Sequence, residues 1–288
     1  MSLGLVTRFK NERHIMFEWV NHHLEEGIDK IYLIDHKSND NFLVENNWLY
    51  ELINEGKVMI LKSKTDNQKK DYDEFLDILK ENKWIIQLDI DEFIYTPQKN
   101  RNLKDILENE LKNIDYFEVK WKLFSHRTEL QPKSIISNNI FTHNEGTDPT
   151  SPITFKCLAK TEYLKSINIH FMEFERKVRK MRLKNCHNNF ININHYRTQS
   201  DEYLFGVKEQ RGGGVNKIKY KKRIHATFEQ HKSFSKECLI LKEKRKDLID
   251  KCNEKEQIKP QIYKNSSWYK RKIKNINKNN ENNSINTL

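Results

Sequence analysis

The chain has 288 residues, of which 36% are hydrophobic, 32% charged and 11% aromatic, with only 8 Gly and 5 Pro. That balance supplies a sizeable core and excludes collagen-like, mucin-like and wholly disordered chains. The net charge of +11 would by itself suit nucleic acid, an anionic membrane or a phosphorylated ligand.

In chain order, residues 3–8 form an apolar run suited to a buried strand, followed by an amphipathic helix over 13–26 that Gly27 is placed to end. A second strand is predicted at 30–35, then a polar loop from His36 to Asn41 and a helical pattern stopping near Gly56. A third strand is predicted at 58–61, a helix near 71–81, and at 84–88 the most apolar strand, which runs straight into Asp89. A further helix covers 103–111 and a strand 116–124, and 125–152 is a polar loop region. Four strand-helix alternations with long crossovers predict an α/β fold with a doubly wound, mostly parallel sheet flanked by helices. Ligands in such sheets bind beyond the carboxyl ends of the strands.

The chain has no apolar stretch of the roughly 20 residues that a membrane span needs, and its first residues lack a signal-peptide core. A cytoplasmic location is therefore expected. Cys157, Cys186, Cys238 and Cys252 are widely spaced, which argues for reduced thiols rather than a disulfide framework or thiolate metal site. From Arg211 onward there are 21 Lys/Arg against 8 Asp/Glu, leaving 31 against 33 before it. The asymmetry predicts a near-neutral catalytic domain at 1–214 and a basic, helical extension packed on it at 215–272. An asparagine-rich tail at 273–288 has almost nothing to bury and is expected to be disordered.

Asp89-Ile90-Asp91-Glu92-Phe93 sets two carboxylates two residues apart at a strand end, where both could face one divalent cation. Mg²⁺ and Mn²⁺ prefer oxygen ligands and commonly take only one or two protein carboxylates, with substrate phosphates completing the shell. A second Asp-x-Asp, at Asp71 and Asp73, opens an apolar-periodic stretch and reads as an acidic helix start. Aspartyl-phosphatase chemistry would place such a motif after the first strand, followed by Gly-Thr, and neither feature is present.

Four segments carry a resemblance: VTRFKNERHIMFEWVNHHLEEGIDKIYLIDHKSNDN, WIIQLDIDEFIY, FEVKWKLFSH and ININHYRTQSDEYLFGVKEQRGGG. In this order the chain resembles GT-A glycosyltransferases over about residues 3–214. Among them it is most similar to glycosyltransferase family 92 and the family 2-like group. The resemblance implies a GT-A fold and metal-dependent transfer of a hexose from a nucleotide-diphosphate sugar, most naturally UDP-linked, to a hydroxyl of a glycan, protein or lipid. It places Thr7, Asn11 and Glu12 along the nucleotide pocket, and Asp35, Ser38 and Asp40 at the base and ribose. Asp89, Asp91 and the late His195 match the metal shell for Mn²⁺ or Mg²⁺, with Asp89 also at the ribose, and Lys156 resembles a basic residue that faces the donor.

His170 competes with His195, which is preferred, and Arg197 could screen the diphosphate. Trp121 and Phe124 could stack on an acceptor sugar, although aromatic residues near strands usually belong to the core. An inverting reaction needs a carboxylate base, for which Glu145, Asp148 and Glu173 are candidates. Two rival readings are a non-catalytic scaffold of the same fold and a nucleic-acid-binding protein using the basic run 217–223. Contact of the C-terminal region with an anionic surface is compatible with the enzyme reading. Deleting residues 273–288 should leave the melting temperature nearly unchanged, because little apolar surface is lost. A drop of many degrees in a thermal melt would refute the assignment of this tail.

Overall fold

The structure, a computed structural model, describes residues 1–43, 47–142, 155–186, 188–211 and 217–275. Strands β1 (Leu3–Phe9), β2 (Lys30–Asp35), β3 (Val58–Lys62) and β4 (Trp84–Gln87) arise from the four apolar runs. They pair in parallel in the order β3-β2-β1-β4. Strand side chains alternate between two apolar layers, as the period of two requires. Leu5, Leu33 and Ile86 join Trp19 on one face, whereas Val6, Ile34 and Ile85 join Tyr72 and Leu79 on the other.

The helix after β1, Arg13–Glu25, ends at Gly27, whose φ of +86° suits glycine. The helix before Gly56 spans Asn47–Asn54. The expected helix at 71–81 starts earlier, at Gln68 under an Asn67 cap, and is interrupted at Phe75 into Gln68–Glu74 and Leu76–Leu79. Asp71 is therefore a first-turn residue, buried and ion-paired with Arg8 at 2.8 Å, and not a metal ligand in waiting. Asn102 and Asp105 form a reciprocal capping box for helix Leu103–Asn109.

Beyond β4 the sheet changes character. Strands β5 (Glu92–Tyr95), β6 (Tyr116–Ser125), β7 (Phe141–Thr142) and β8 (Phe155–Lys160) follow. After them come a β9 (Leu164–Ile167)/β10 (Met172–Phe174) hairpin, β11 (Lys180–Leu183) and β12 (Asn192–His195). β8 inserts antiparallel between β4 and β6, a pairing that alternation in the first half of the chain does not foretell. The ten-residue β6 pairs with β8 and β11 through its first half and with β12 and β7 through its second. β12 also lies antiparallel to β5, with His195 opposite Glu92.

The last quarter forms helices Lys217–Lys232, Ile240–Lys244 and Lys246–Glu254, with further helix over 267–275. Phe234, Cys238, Leu241 and Ile249 belong to the same apolar cluster as the sheet. Buried Arg245 pairs with buried Glu26, which Lys244 also meets at 2.7 Å. All four cysteines are free and buried. Among the described residues no helix is long and apolar enough to cross a membrane.

Glu18, buried on helix Arg13–Glu25, accepts hydrogen bonds from the Ser134 hydroxyl and the Ile135 and Ile136 amides, tying the start of helix Ile135–Asn138 to the core. Burial raises its carboxyl from 4.5 to about 7 against these donors. The folded state therefore holds this proton more tightly than the unfolded chain, so the group's stabilising contribution is complete below about pH 4.5 and is lost as pH rises through about 7. Between about pH 5 and about pH 8, Glu18→Gln should lose less stability than the parent by about 3 kcal/mol. Urea unfolding at both pH values checks this, and equal losses in the two proteins would refute it.

Candidate active site

Asp89-Ile90-Asp91 is the turn between β4 and β5. Glu92 accepts the Asp89 amide at 2.9 Å, while the Glu92 amide donates to the Asp89 carbonyl at 3.0 Å, which locks the turn. Ile90 packs in the core, and the two aspartates meet charged partners. Lys156, fully buried on β8, lies 2.9 Å from Asp89 and 3.4 Å from Glu92. His195 lies 3.4 Å from Asp91 through Nε2 and 3.9 Å from Glu92 through Nδ1. Lys208 completes the array at 2.6 Å from Asp91.

Lys156, Asp89 and Glu92, His195, Asp91 and Lys208 thus form one contiguous chain of ionisable groups. Burial opposes ionisation of Asp91, but Lys208 and His195 outweigh it and hold the carboxyl well below its ordinary value. Asp89 is likewise lowered, since Lys156 overcomes burial. Burial pushes Glu92 well above the usual carboxylate range despite Lys156, and lowers His195 despite Asp91. The site therefore presents two carboxylates held ionised in front of a buried acid.

The loops after β1 and β2 are laced together at the same end of the sheet. The Asn11 amide donates to Ser38 Oγ at 3.0 Å, and Asn11 Oδ1 accepts the Asn39 amide at 2.8 Å. Asn11 adopts a φ of +56°, a strained conformation for a residue with a side chain. Asp35 accepts the Ser38 amide, and Asp40 accepts the Arg13 amide at the start of helix Arg13–Glu25. Thr7 is buried, and its hydroxyl has no partner among the described residues. Glu12 is buried and accepts hydrogen bonds from Tyr203 and Arg211.

The structure separates other candidates from these. Lys156 lies beneath Asp89, also donating to the Ile169 carbonyl, so its ammonium is a buried counterion. His170 bonds the Phe155 carbonyl, and Trp121 lies against the His170 and His195 rings. Trp121 and Phe124 are buried in the core, and Phe124 packs on Tyr196, so neither offers a face to an acceptor. Arg197 is buried and gives its carbonyl to Lys208. Glu173 lies on β10 opposite Ser166, in the small second sheet. Glu145 and Asp148 fall outside the described residues.

Sequence reading did not single out Lys208, Tyr203, Arg211 or Glu92. Glu92 adjoins the Asp-x-Asp pair, which was a usable signal, whereas nothing local marks Lys208. It ends a π-helical turn, Leu204–Lys208, in which the Glu209 amide reaches back to the Leu204 carbonyl. π turns often occur at functional sites. Asp89, Asp91 and His195 form a donor set chemically suited to a hard or borderline divalent cation, with Asp91 and His195 already adjacent. Among the described residues, no three His, Cys, Asp or Glu side chains converge into a ready cage. The ion would need substrate oxygens to complete its shell.

The model of glycosyltransferase family 92 matches residues 6–255. S. aureus TarS 1–349 aligns with 82% of this chain and 73% of its own at 14% identity and a TM-score of 0.43. Its complex with UDP gives the same coverage at 17% identity and a TM-score of 0.42. GalNAc-T7 with UDP, GalNAc and Mn²⁺ aligns over 86% of this chain and 54% of its own, at 11% identity and a TM-score of 0.39. No curated protein matches the chain. The family match spans the first strand, the Asp-x-Asp turn, β12 and the π turn alike, and the chain belongs to glycosyltransferase family 92.

Proposed function

We propose that this glycosyltransferase moves a hexose from a UDP-sugar to an acceptor hydroxyl, using the carboxylates at the end of β4. The observation carrying this reading is Asp91, at the carboxyl end of a parallel strand with Lys208 at 2.6 Å and His195 at 3.4 Å. Thr7, Asn11, Glu12, Asp35, Ser38 and Asp40 are assigned to the nucleoside side, supported by their position in the carboxyl-end halves of β1 and β2 and in the segments that follow these strands, which Asn11, Ser38, Asp35 and Asp40 help tie together. Asp89, Asp91 and His195 would hold Mn²⁺ or Mg²⁺, which when bound supplies Lewis-acid neutralisation of the departing diphosphate.

The chain's own groups prepare that step. Lys156 keeps Asp89 ionised, and Lys208 with His195 does so for Asp91, so neither carboxylate needs to lose a proton before it acts. Glu92 lies 3.9 Å from His195 Nδ1, while Nε2 of the same ring faces Asp91 at 3.4 Å. For an inverting transfer, Glu173, Glu145 and Asp148 are the candidate bases for acceptor deprotonation. Residues 1–214 are taken as the catalytic domain, with 215–272 packed on it. The exposed Lys219, Lys221, Lys222 and Arg223 on helix Lys217–Lys232 are proposed to contact an anionic surface.

UDP release from a panel of UDP-sugars, with and without Mn²⁺, tests this reading without a known acceptor. Metal-stimulated release from one sugar, reduced about 100-fold or more in Asp91→Asn, is expected. Silence across the panel with no UDP-induced thermal shift would overturn it and favour a scaffold.

A further inference from the structure

The π turn is clamped from outside by the end of the chain. The Tyr263 amide donates to the Gly206 carbonyl at 3.0 Å, and the Ser267 amide donates to Glu209 just past the turn. Leu204 and Phe205 pack with Tyr220, Ile224 and Trp268 in an apolar cluster separate from the main core. A side chain at Gly206 would approach Ile262 to 3.2 Å, so the fit there is close. Inside the turn, Lys208 is 9% exposed and donates to Asp91 at 2.6 Å and to the Arg197 carbonyl at 2.9 Å. These are its two acceptors among the described residues, whereas an ammonium carries three N–H donors.

We propose that Lys208 contacts the donor's diphosphate, and that the segment from Ile262 to Trp268 is the brace holding it there. This rests on the UDP-sugar reading above. Carboxylates alone repel a diphosphate, and a lysine ammonium is a compact phosphate-binding charge. Lys208 bridges Asp91 to the phosphate oxygens. In the transfer the bond between the anomeric carbon and the diphosphate oxygen breaks, and its electron pair stays on that oxygen beside the ammonium. The acceptor oxygen bonds to the same carbon, and its proton passes to a carboxylate base or to water. The brace gives the basic last quarter a part in the site that does not involve nucleic acid.

The test is equilibrium binding of UDP and of uridine to the full chain in chelator-containing buffer, so that no metal contributes. Lys208→Met should weaken UDP binding about tenfold or more and leave uridine binding unchanged, while Lys208→Arg retains most of the UDP preference. Lys208→Met orphans the Asp91 carboxylate, so the same comparison is made between Asp91→Asn and Asp91→Asn/Lys208→Met, the double variant leaving neither charge of the pair behind. Gly206→Val, which crowds Ile262, should also lower UDP affinity selectively. If the parent binds UDP and removal of Lys208 in the Asp91→Asn background changes UDP and uridine binding equally or not at all, the assignment of Lys208 is wrong. If the parent binds UDP only when Mn²⁺ is restored, Lys208 does not hold the diphosphate and its assignment is wrong; if the parent binds UDP neither in chelator nor with Mn²⁺, the UDP-sugar reading itself has failed.

Discussion

Two carboxylates cannot stay ionised side by side in a buried turn without cations to hold them, and that requirement organises this molecule. Asp89 takes Lys156 from β8, and Asp91 takes Lys208 from the π turn and His195 from β12. Each partner comes from a different element, so the turn after β4 has its charge state only when β8, β12 and the π turn are in place. An isolated charge at such depth would be neutralised by a pKa shift rather than tolerated. Glu92 shows the opposite outcome: burial, with Asp89 and Asp91 beside it, pushes its carboxyl upward although Lys156 lies 3.4 Å away.

The same logic explains why β6 is the longest strand. Its first half continues the sheet through β8, and its second half carries β12, whose antiparallel register with β5 puts His195 opposite Glu92. A one-residue slip in that register would turn His195 to the other face. The Tyr196 amide bonded to the Asp91 carbonyl at 2.8 Å pins the register from the backbone side. The site is thus set by backbone pairing between residues about a hundred positions apart, and the side-chain distances follow from it.

The C-terminal quarter, which stood out only by its charge, is tied to this framework by apolar contacts. Ile249 and Leu241 fill the main core, and Trp268 and Ile224 pack on the π turn. Many of its lysines lie outward, while its few buried hydrophobic residues hold it to the framework. Net charge therefore drew attention to the right segment for a reason different from its structural role.

Much of the parallel half was legible in the residues themselves. Apolar runs with turn residues between them located β1 to β4 to within a residue, because a strand buried on both faces must be apolar throughout and cannot be mistaken for a loop. Asp89 and Asp91 could be picked out because an acidic pair directly after such a run is out of place unless it serves a function. The sequence by itself determined those strands, the acidic turn and its family resemblance. Tertiary structure alone decided which cations face the acids, that Lys156 is a buried counterion, that Trp121 and Phe124 are core, and that Lys208 belongs to the site. Pairing of opposite charges depends on distance in space, and no spacing along the chain encodes the approach of Lys208 to Asp91 across 117 positions.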